Sequence, residues 1–378
     1  MKKLISVVMA LFMIFSSFGV CVGTFAADEN APTVISEADT QQETSNGPAA
    51  FFEELFAKIK KVILIFVGNI SILIDGRYSK LDYSVYSTDA FELPGLDEGF
   101  VPQGICYVEI LDCFAVSGYV KGENSRIYLI NKETGEAKEI VLKDFIKHAG
   151  GIASDGEDVW VCAGGSDTEG GFVYHLSASA LDKADDGAEI VFDGSFQTQV
   201  RASTVCCDGE RLYVAEFYEE DDYPVNPDHS FPGNDNKAWS VGYELPIEPE
   251  EYDGSEKAPD IILSIPEKVQ GMAVTSGGNI IFSTSYGRFY DSTLHIYEPL
   301  DEWTQGGKVV DGEAVHLCVA DDGSLVSKVK MPTLMEGIDV NGDTLYAVFE
   351  SGATAYADAK EINSDAKAVK IDELIAML

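Results

Sequence analysis

Positive charge is what this chain runs shortest of. Lys and Arg number 26 against 64 Asp and Glu, for a formal net charge of −38. So acidic a surface repels phosphate backbones, which excludes nucleic acid as a partner. It favours cationic partners or divalent ions, or simply keeps the chain soluble. A membrane-spanning run is also lacking beyond the N-terminus. Val62 to Ile74 is 13 residues long and interrupted by Asn69 and Ser71, whereas a span needs about 20 apolar residues. No CxxC occurs, so a zinc knuckle or a thioredoxin-type site is out. There is no GxSxG elbow, no HExxH, no P-loop and no GxGxxG after a strand. The sequence therefore names no reaction.

Hydrophobic residues make up 46% of the chain and aromatic residues 11%, enough for a sizeable core. Residues 1–26 have the pattern of an export signal. Lys2 and Lys3 form the positive end, Leu4 to Val22 is mostly apolar, and Thr24 and Ala26 supply the small residues of a cleavage site. Secretion, or residence at the cell surface, is the expectation. Residues 27–50 show no apolar period and read as a disordered acidic linker. Residues 51–76 read as a helix, amphipathic at first and then almost wholly apolar. Phe52, Leu55, Phe56, Ile59, Val62, Ile63 and Phe66 share one face, with Glu54 and Lys58 paired on the other. That helix packs on the domain, or makes a peripheral membrane or partner contact through residues 51–67.

From there the period becomes two, and 77–378 reads as one repeat domain. Five stretches open in nearly the same way: Pro102-Gln103-Gly104-Ile105-Cys106, Ala149-Gly150-Gly151-Ile152-Ala153, Ala202-Ser203-Thr204-Val205-Cys206, Val269-Gln270-Gly271-Met272-Ala273 and Met335-Glu336-Gly337-Ile338-Asp339. Turn pairs such as Asp155-Gly156, Asp208-Gly209, Gly277-Gly278 and Asn341-Gly342 come next, and then a second strand. Third strands are visible near Tyr128, Tyr174, Val241 and Leu294, and fourth strands near Ile140, Ile262 and Val326. The openings are 47, 53, 67 and 66 residues apart. The repeat implies an all-β fold: a β-propeller of four-stranded antiparallel blades, five of them, with a sixth hidden in the two long units as the alternative.

Cys106, Cys113, Cys162, Cys206, Cys207 and Cys318 lie beyond the export signal. An even count in an exported chain permits disulfides, and Cys106 with Cys113 is the one candidate bridge. Most of these residues lie in apolar strand runs, where Cys packs as a small hydrophobe.

In a propeller, the residue before each opening glycine, or before its equivalent Thr204, faces the axis at one end. Gln103, Ser203, Gln270 and Glu336 then meet in a mouth, with a gap at Gly150. Their oxygens suit a polar ligand, or calcium held by Glu336, Gln103 and Gln270. The connections between strands two and three reach the same face and bring Tyr119, Tyr286 and Arg288, the last ready for an anion or for Asp291. His148 precedes an opening and pairs by residue type with Ser203 as base and nucleophile. Blade three carries the longest connection, Tyr218 to Ala238, rich in Asp and Asn, which reads as a solvated surface loop.

Val101-Pro102-Gln103-Gly104, Lys268-Val269-Gln270-Gly271-Met272, Ser285-Tyr286-Gly287-Arg288 and Met335-Glu336-Gly337-Ile338 resemble secreted bacterial β-propeller proteins, from about Pro102 to Tyr356. That resemblance implies the fold and no activity. The Glu336-Gly337 step is also similar to the inner-strand step of gluconolactonase-like propellers and of calcium-activated nucleotidases. Those families imply a central metal held by acidic and amide residues. Only Glu336 matches, since Gln103, Gly150, Ser203 and Gln270 stand where further acidic and Asn ligands are expected. The expectations are a propeller binding a glycan, peptide or other polar small molecule at its mouth; or a calcium-assisted hydrolase of a lactone, phosphate ester or glycoside; or an interaction protein of the cell surface.

Overall fold

The computed structural model of the chain describes residues 83–166, 168–248 and 251–376. The export signal, the linker and the helix expected over 51–76 lie outside the described residues. The described residues form a five-bladed β-propeller.

A first strand, β1 (Ser87–Glu92), stands apart from its sequence neighbours. Blade one is the meander β2 (Phe100–Val108), β3 (Cys113–Val120), β4 (Arg126–Asn131) and β5 (Ala137–Leu142). Blade two runs through β6 (Ile152–Ser154), β7 (Asp158–Ala163) and β8 (Phe172–Ser177). It reaches its fourth strand, β10 (Gly194–Gln197), after a helix α1 (Ala178–Lys183) and β9 (Ala188–Ile190). Blade three has β11 (Thr204–Cys207), β12 (Arg211–Ala215) and β13 (Ala238–Glu244), then β14 (Asp253–Glu256) and its fourth strand β15 (Ile261–Ile265). Blade four has β16 (Val269–Val274), β17 (Ile280–Thr284) and β18 (Ser292–Tyr297). A hairpin of β19 (Thr304–Val310) and β20 (Glu313–Val319) then precedes β21 (Leu325–Met331). Blade five has β22 (Met335–Asn341), β23 (Thr344–Phe349) and β24 (Asp365–Lys370). Its fourth strand is β1, paired antiparallel to β24 from Ser87↔Val369 to Glu92↔Asp365. The ring is closed by strands from both ends of this region, and a short helix α2 (Ile371–Ala376) comes last.

The long units hold no sixth blade. Much of their extra length forms straps, β14 pairing parallel to β10 and β20 to β15, and the shorter blade-two unit adds a third, β9 parallel to β5. Each strap leaves the connection before a blade's fourth strand and lies on the outer edge of the preceding blade. An outer edge strand is thereby covered instead of standing open to another chain.

The core is five separate layers, one at each blade interface. Alternate residues of an inner strand therefore enter different layers. Ile105 packs between blades five and one, while Cys106 packs between one and two. Met272 packs between three and four, and Ala273 between four and five. With both faces buried, Phe282, Ile127 and Val214 are fully enclosed, each burial stabilising by about 1.5–3 kcal/mol.

The repeated opening glycine now has a cause. Around a narrow axis the inner backbones touch. A Cβ on Gly151 would lie 2.2 Å from Val205 N, on Gly104 2.6 Å from Ile152 N, on Gly271 2.8 Å from Ile338 N, and on Gly337 2.6 Å from Gly104 Cα. Buried hydroxyls tie the same blades together. Ser117 Oγ donates to Gly150 O at 2.8 Å, and Ser283 Oγ to Glu336 O at 2.6 Å.

The candidate bridge does not form. β2 and β3 pair Val108↔Cys113 and Cys106↔Ala115, so the two thiols are not cross-strand partners. All six described cysteines are free, and burial pushes the Cys162 thiol up to about 12 and Cys113 up to about 11.

Candidate functional site

Strand one enters and strand two leaves at the same end of the axis, and there the blades leave a cavity of about 590 Å³. Gln103, Tyr119, His148, Ser203, Gln270, Tyr286 and Arg288 all line it. Glu336 lies just beneath, 3% exposed, and accepts a hydrogen bond from Gln270 Nε2 at 3.0 Å. The eight residues named from the sequence are thus brought together. With them stand Glu350, which the sequence shows as a carboxyl ending a second strand but does not aim, and Tyr356, Tyr223, Phe217, Arg201 and Lys147.

Glu350 matters most among these. It comes just after the last residue of β23 and opens a short turn, Glu350–Gly352. Its backbone N–H donates to Leu334 O at 3.0 Å, which ties the end of strand two to the approach to strand one. Its Oε1 accepts from Gln103 Nε2 at 2.7 Å. The floor is therefore two amide–carboxyl pairs, Gln103 with Glu350 and Gln270 with Glu336.

Both acids are hard to ionise. Burial raises Glu350 to about 7, against the pull of hydrogen bonds from Gln103 and Tyr356 and the Arg288 charge. Burial raises Glu336 well above the carboxylate range, and the Glu350 charge adds to it. Near neutrality the pair keeps at least one proton, so it can offer a neutral acid beside an ionised acceptor. Burial and then Glu350 also raise Tyr119, to about 12, and raise Tyr356 further, so these phenols remain donors.

The walls are aromatic. Tyr119 and His148 stack with centroids 4.0 Å apart at 10°. Phe217 meets Tyr223 edge-on at 5.2 Å. The Arg288 guanidinium lies 4.5 Å from the Tyr356 centroid and that of Arg201 5.7 Å from Tyr223. Tyr286 donates to Asp222, from the long connection of blade three. Arg288 does not pair with Asp291. It pairs with Asp358 and donates to Ala355 O at 2.9 Å, while Asp291 is buried against Lys330 (2.8 Å) and Lys360. Ser203 Oγ accepts the Phe217 N–H at 3.1 Å.

For a metal the donor set is thin. Among the described residues no three His, Cys, Asp or Glu converge on one point. The floor supplies two carboxyls, and both amides turn N–H towards them. Calcium takes six to eight oxygens, so these residues fall short of its shell.

No protein-family model and no curated protein matches this chain. Among solved structures it is similar to propellers of varied activity. Glutaminyl cyclase of Myxococcus xanthus is 12% identical over 75% of this chain and 94% of that one, with a TM-score of 0.41. The PQQ-bound aldose sugar dehydrogenase of Streptomyces coelicolor is 11% identical over 75% and 96%, with a TM-score of 0.40. A gluconolactonase of Xanthomonas campestris is 11% identical over 75% and 89%, with a TM-score of 0.33. The chemistry has to be read from this chain's own residues.

Proposed function

We propose that the mouth binds a hydroxyl-rich ligand of the glycan class. One observation carries the reading: a 590 Å³ cavity sets a tyrosine wall of Tyr119, Tyr223, Tyr286 and Tyr356 over a floor of amides and raised carboxyls. Ring faces take the apolar side of a sugar, while neutral donors and acceptors take its hydroxyls. A glycan array probed with the wild type and with Gln270→Ala, Glu336→Ala tests this. Binding that the double change abolishes supports the reading; no binding, or binding it leaves untouched, ends it.

The raised carboxyl pair favours a second reading, acid–base hydrolysis of a glycosidic or ester link at the same floor. Glu350 near 7 suits proton transfer at neutral pH. Turnover of aryl glycosides and esters that Glu350→Gln removes would establish it. Activity surviving Glu350→Gln with Glu336→Gln would refute it. In this reading a proton, not calcium, neutralises the pair. Added calcium therefore leaves the melting temperature unchanged, and a calcium-dependent rise would restore the metal-assisted alternative.

On either reading the propeller works outside the cytoplasm, exported by residues 1–26, with 51–67 as its contact to a membrane or partner. Fractionation tests it, and a distribution unchanged by deleting 51–67 would remove the contact. No helix among the described residues is long and apolar enough to cross a membrane.

A further inference from the structure

Blade three repeats the placement of Glu350 with a different outcome. Glu216 comes just after β12 as Glu350 does after β23, yet it lines another cavity, of about 420 Å³, on the flank between blades two and three. The long connection of blade three builds this cavity. Its turn Pro227–His229 is capped by Asn226, whose side chain accepts the Asp228 N–H at 3.1 Å. The turn lays His229 on Trp239 with centroids 3.9 Å apart at 15°. His229 Nδ1 then sits 2.7 Å from Glu216 Oε1, with the two side chains 5% and 1% exposed. The same oxygen accepts the Trp239 N–H at 2.8 Å.

A carboxylate can only accept, so Nδ1 carries a proton, and in the neutral imidazole Nε2 then presents a lone pair. Nε2 meets no partner among the described residues and is not sealed in the core, so it opens to the cavity that His229 lines. The lining around it is acidic: Glu169, Asp228, Glu256 and Asp311 against Lys308. The Lys308 ammonium is already engaged, 2.8 Å from Asp228 O and 5.2 Å from the Trp239 centroid. A buried acceptor fixed in one tautomer, inside a negatively charged pocket of ligand size, is a receptor for a cationic donor. Among the described residues no three metal-ligating side chains converge, and a lone imidazole nitrogen is matched by an N–H donor.

We propose that this flank cavity is a second ligand site, specific for a primary amine whose ammonium donates to His229 Nε2. It is independent of the mouth. Glucosamine and glucose share a ring and differ in the ammonium, which makes them the probes. The full chain, labelled with nitrogen-15 at histidine, is titrated with each in about 0.15 M salt, where long-range charge attraction is screened. Glucosamine is expected to move the His229 Nε2 resonance saturably and glucose to leave it in place. By calorimetry, His229→Gln should weaken glucosamine at least about tenfold, since a hydrogen bond to a charged group is lost. Should that variant fail to fold, Glu169→Gln with Glu256→Gln, which removes two rim charges and keeps a side-chain oxygen for the Gln199 Nε2 donor at position 256, should weaken it about threefold to tenfold. Equal responses to both sugars, no response to glucosamine, or unchanged affinity in the variants overturns the proposal.

Discussion

The two halves of the mouth are built on one repeat and have become different things. Blades four, five and one contribute Gln270, Glu336, Glu350 and Gln103, a joined set of amides and carboxyls. Blades two and three contribute Gly150 and Ser203 at the same step, and Ser203 uses its hydroxyl to hold Phe217. One half is dense and polar; the other is small and leaves the space. The opening glycines serve the ring in both halves, because the inner backbones touch. The residue before each glycine is free of that duty, and there the blades diverge into a site.

The largest effect should come from attacking what the halves share. Gly151→Ala puts a Cβ 2.2 Å from backbone that cannot yield. A loss of roughly 3 kcal/mol or more in urea unfolding is expected, the range of severe overpacking. Gly307, whose added Cβ meets nothing closer than 3.9 Å, should change by under about 0.5 kcal/mol as alanine. Equal effects would remove the close-approach account.

The next effect belongs to the polar half alone. Glu350 is raised in the fold from 4.5 to about 7. The folded form therefore keeps a proton that the unfolded chain releases. That stabilisation is complete below about pH 4.5 and is lost as pH rises through about 7. The loss is on the order of 1–3 kcal/mol. Glu350→Gln should flatten this fall, and Ser203→Ala, in the other half, should leave it. Unfolding midpoints measured from pH 4 to 8 decide between them.

A third comparison sets the walls apart. For the strongest glycan binder found, Tyr119→Ala and Tyr286→Ala should each weaken binding by about 1–2 kcal/mol. Val191→Ala, exposed just past strap β9, should leave calorimetric affinity unchanged. The smallest effect concerns the ties across blade interfaces: Ser117→Ala and Ser283→Ala should each cost about 1 kcal/mol of stability, one buried hydrogen bond. A neutral result for both would show that the glycines alone hold the axis.

Much of this was legible in the residues because steric need writes itself plainly. A glycine forced by backbone contact recurs at Gly104, Gly151, Gly271 and Gly337, and that recurrence located the inner strands. Glu350 and Glu216 were visible as carboxyls ending second strands, but alternation does not say which way a residue past a strand end turns. One went to the mouth and the other to the flank. Tyr356 lies in the connection of blade five that corresponds to those of Tyr119 and Tyr286, so the same rule applied to blade five would have reached it. The strand β10 was hidden because α1 and β9 interrupt its meander. β1 was hidden because its partner, β24, lies at the far end of the chain. The His229–Trp239 stack depends on a loop folding back, and nothing periodic announces that.

The claim that most depends on the divergence of the halves is the shared proton at the mouth floor. Carbon-13 spectra of the glutamate side-chain carboxyls, recorded from pH 3 to 9, read it directly. One carboxyl should titrate near pH 7, with a second higher still, and both signals should change when Glu350→Gln is made. Glutamates that all titrate below about pH 5.5, as exposed carboxyls do, would contradict the account.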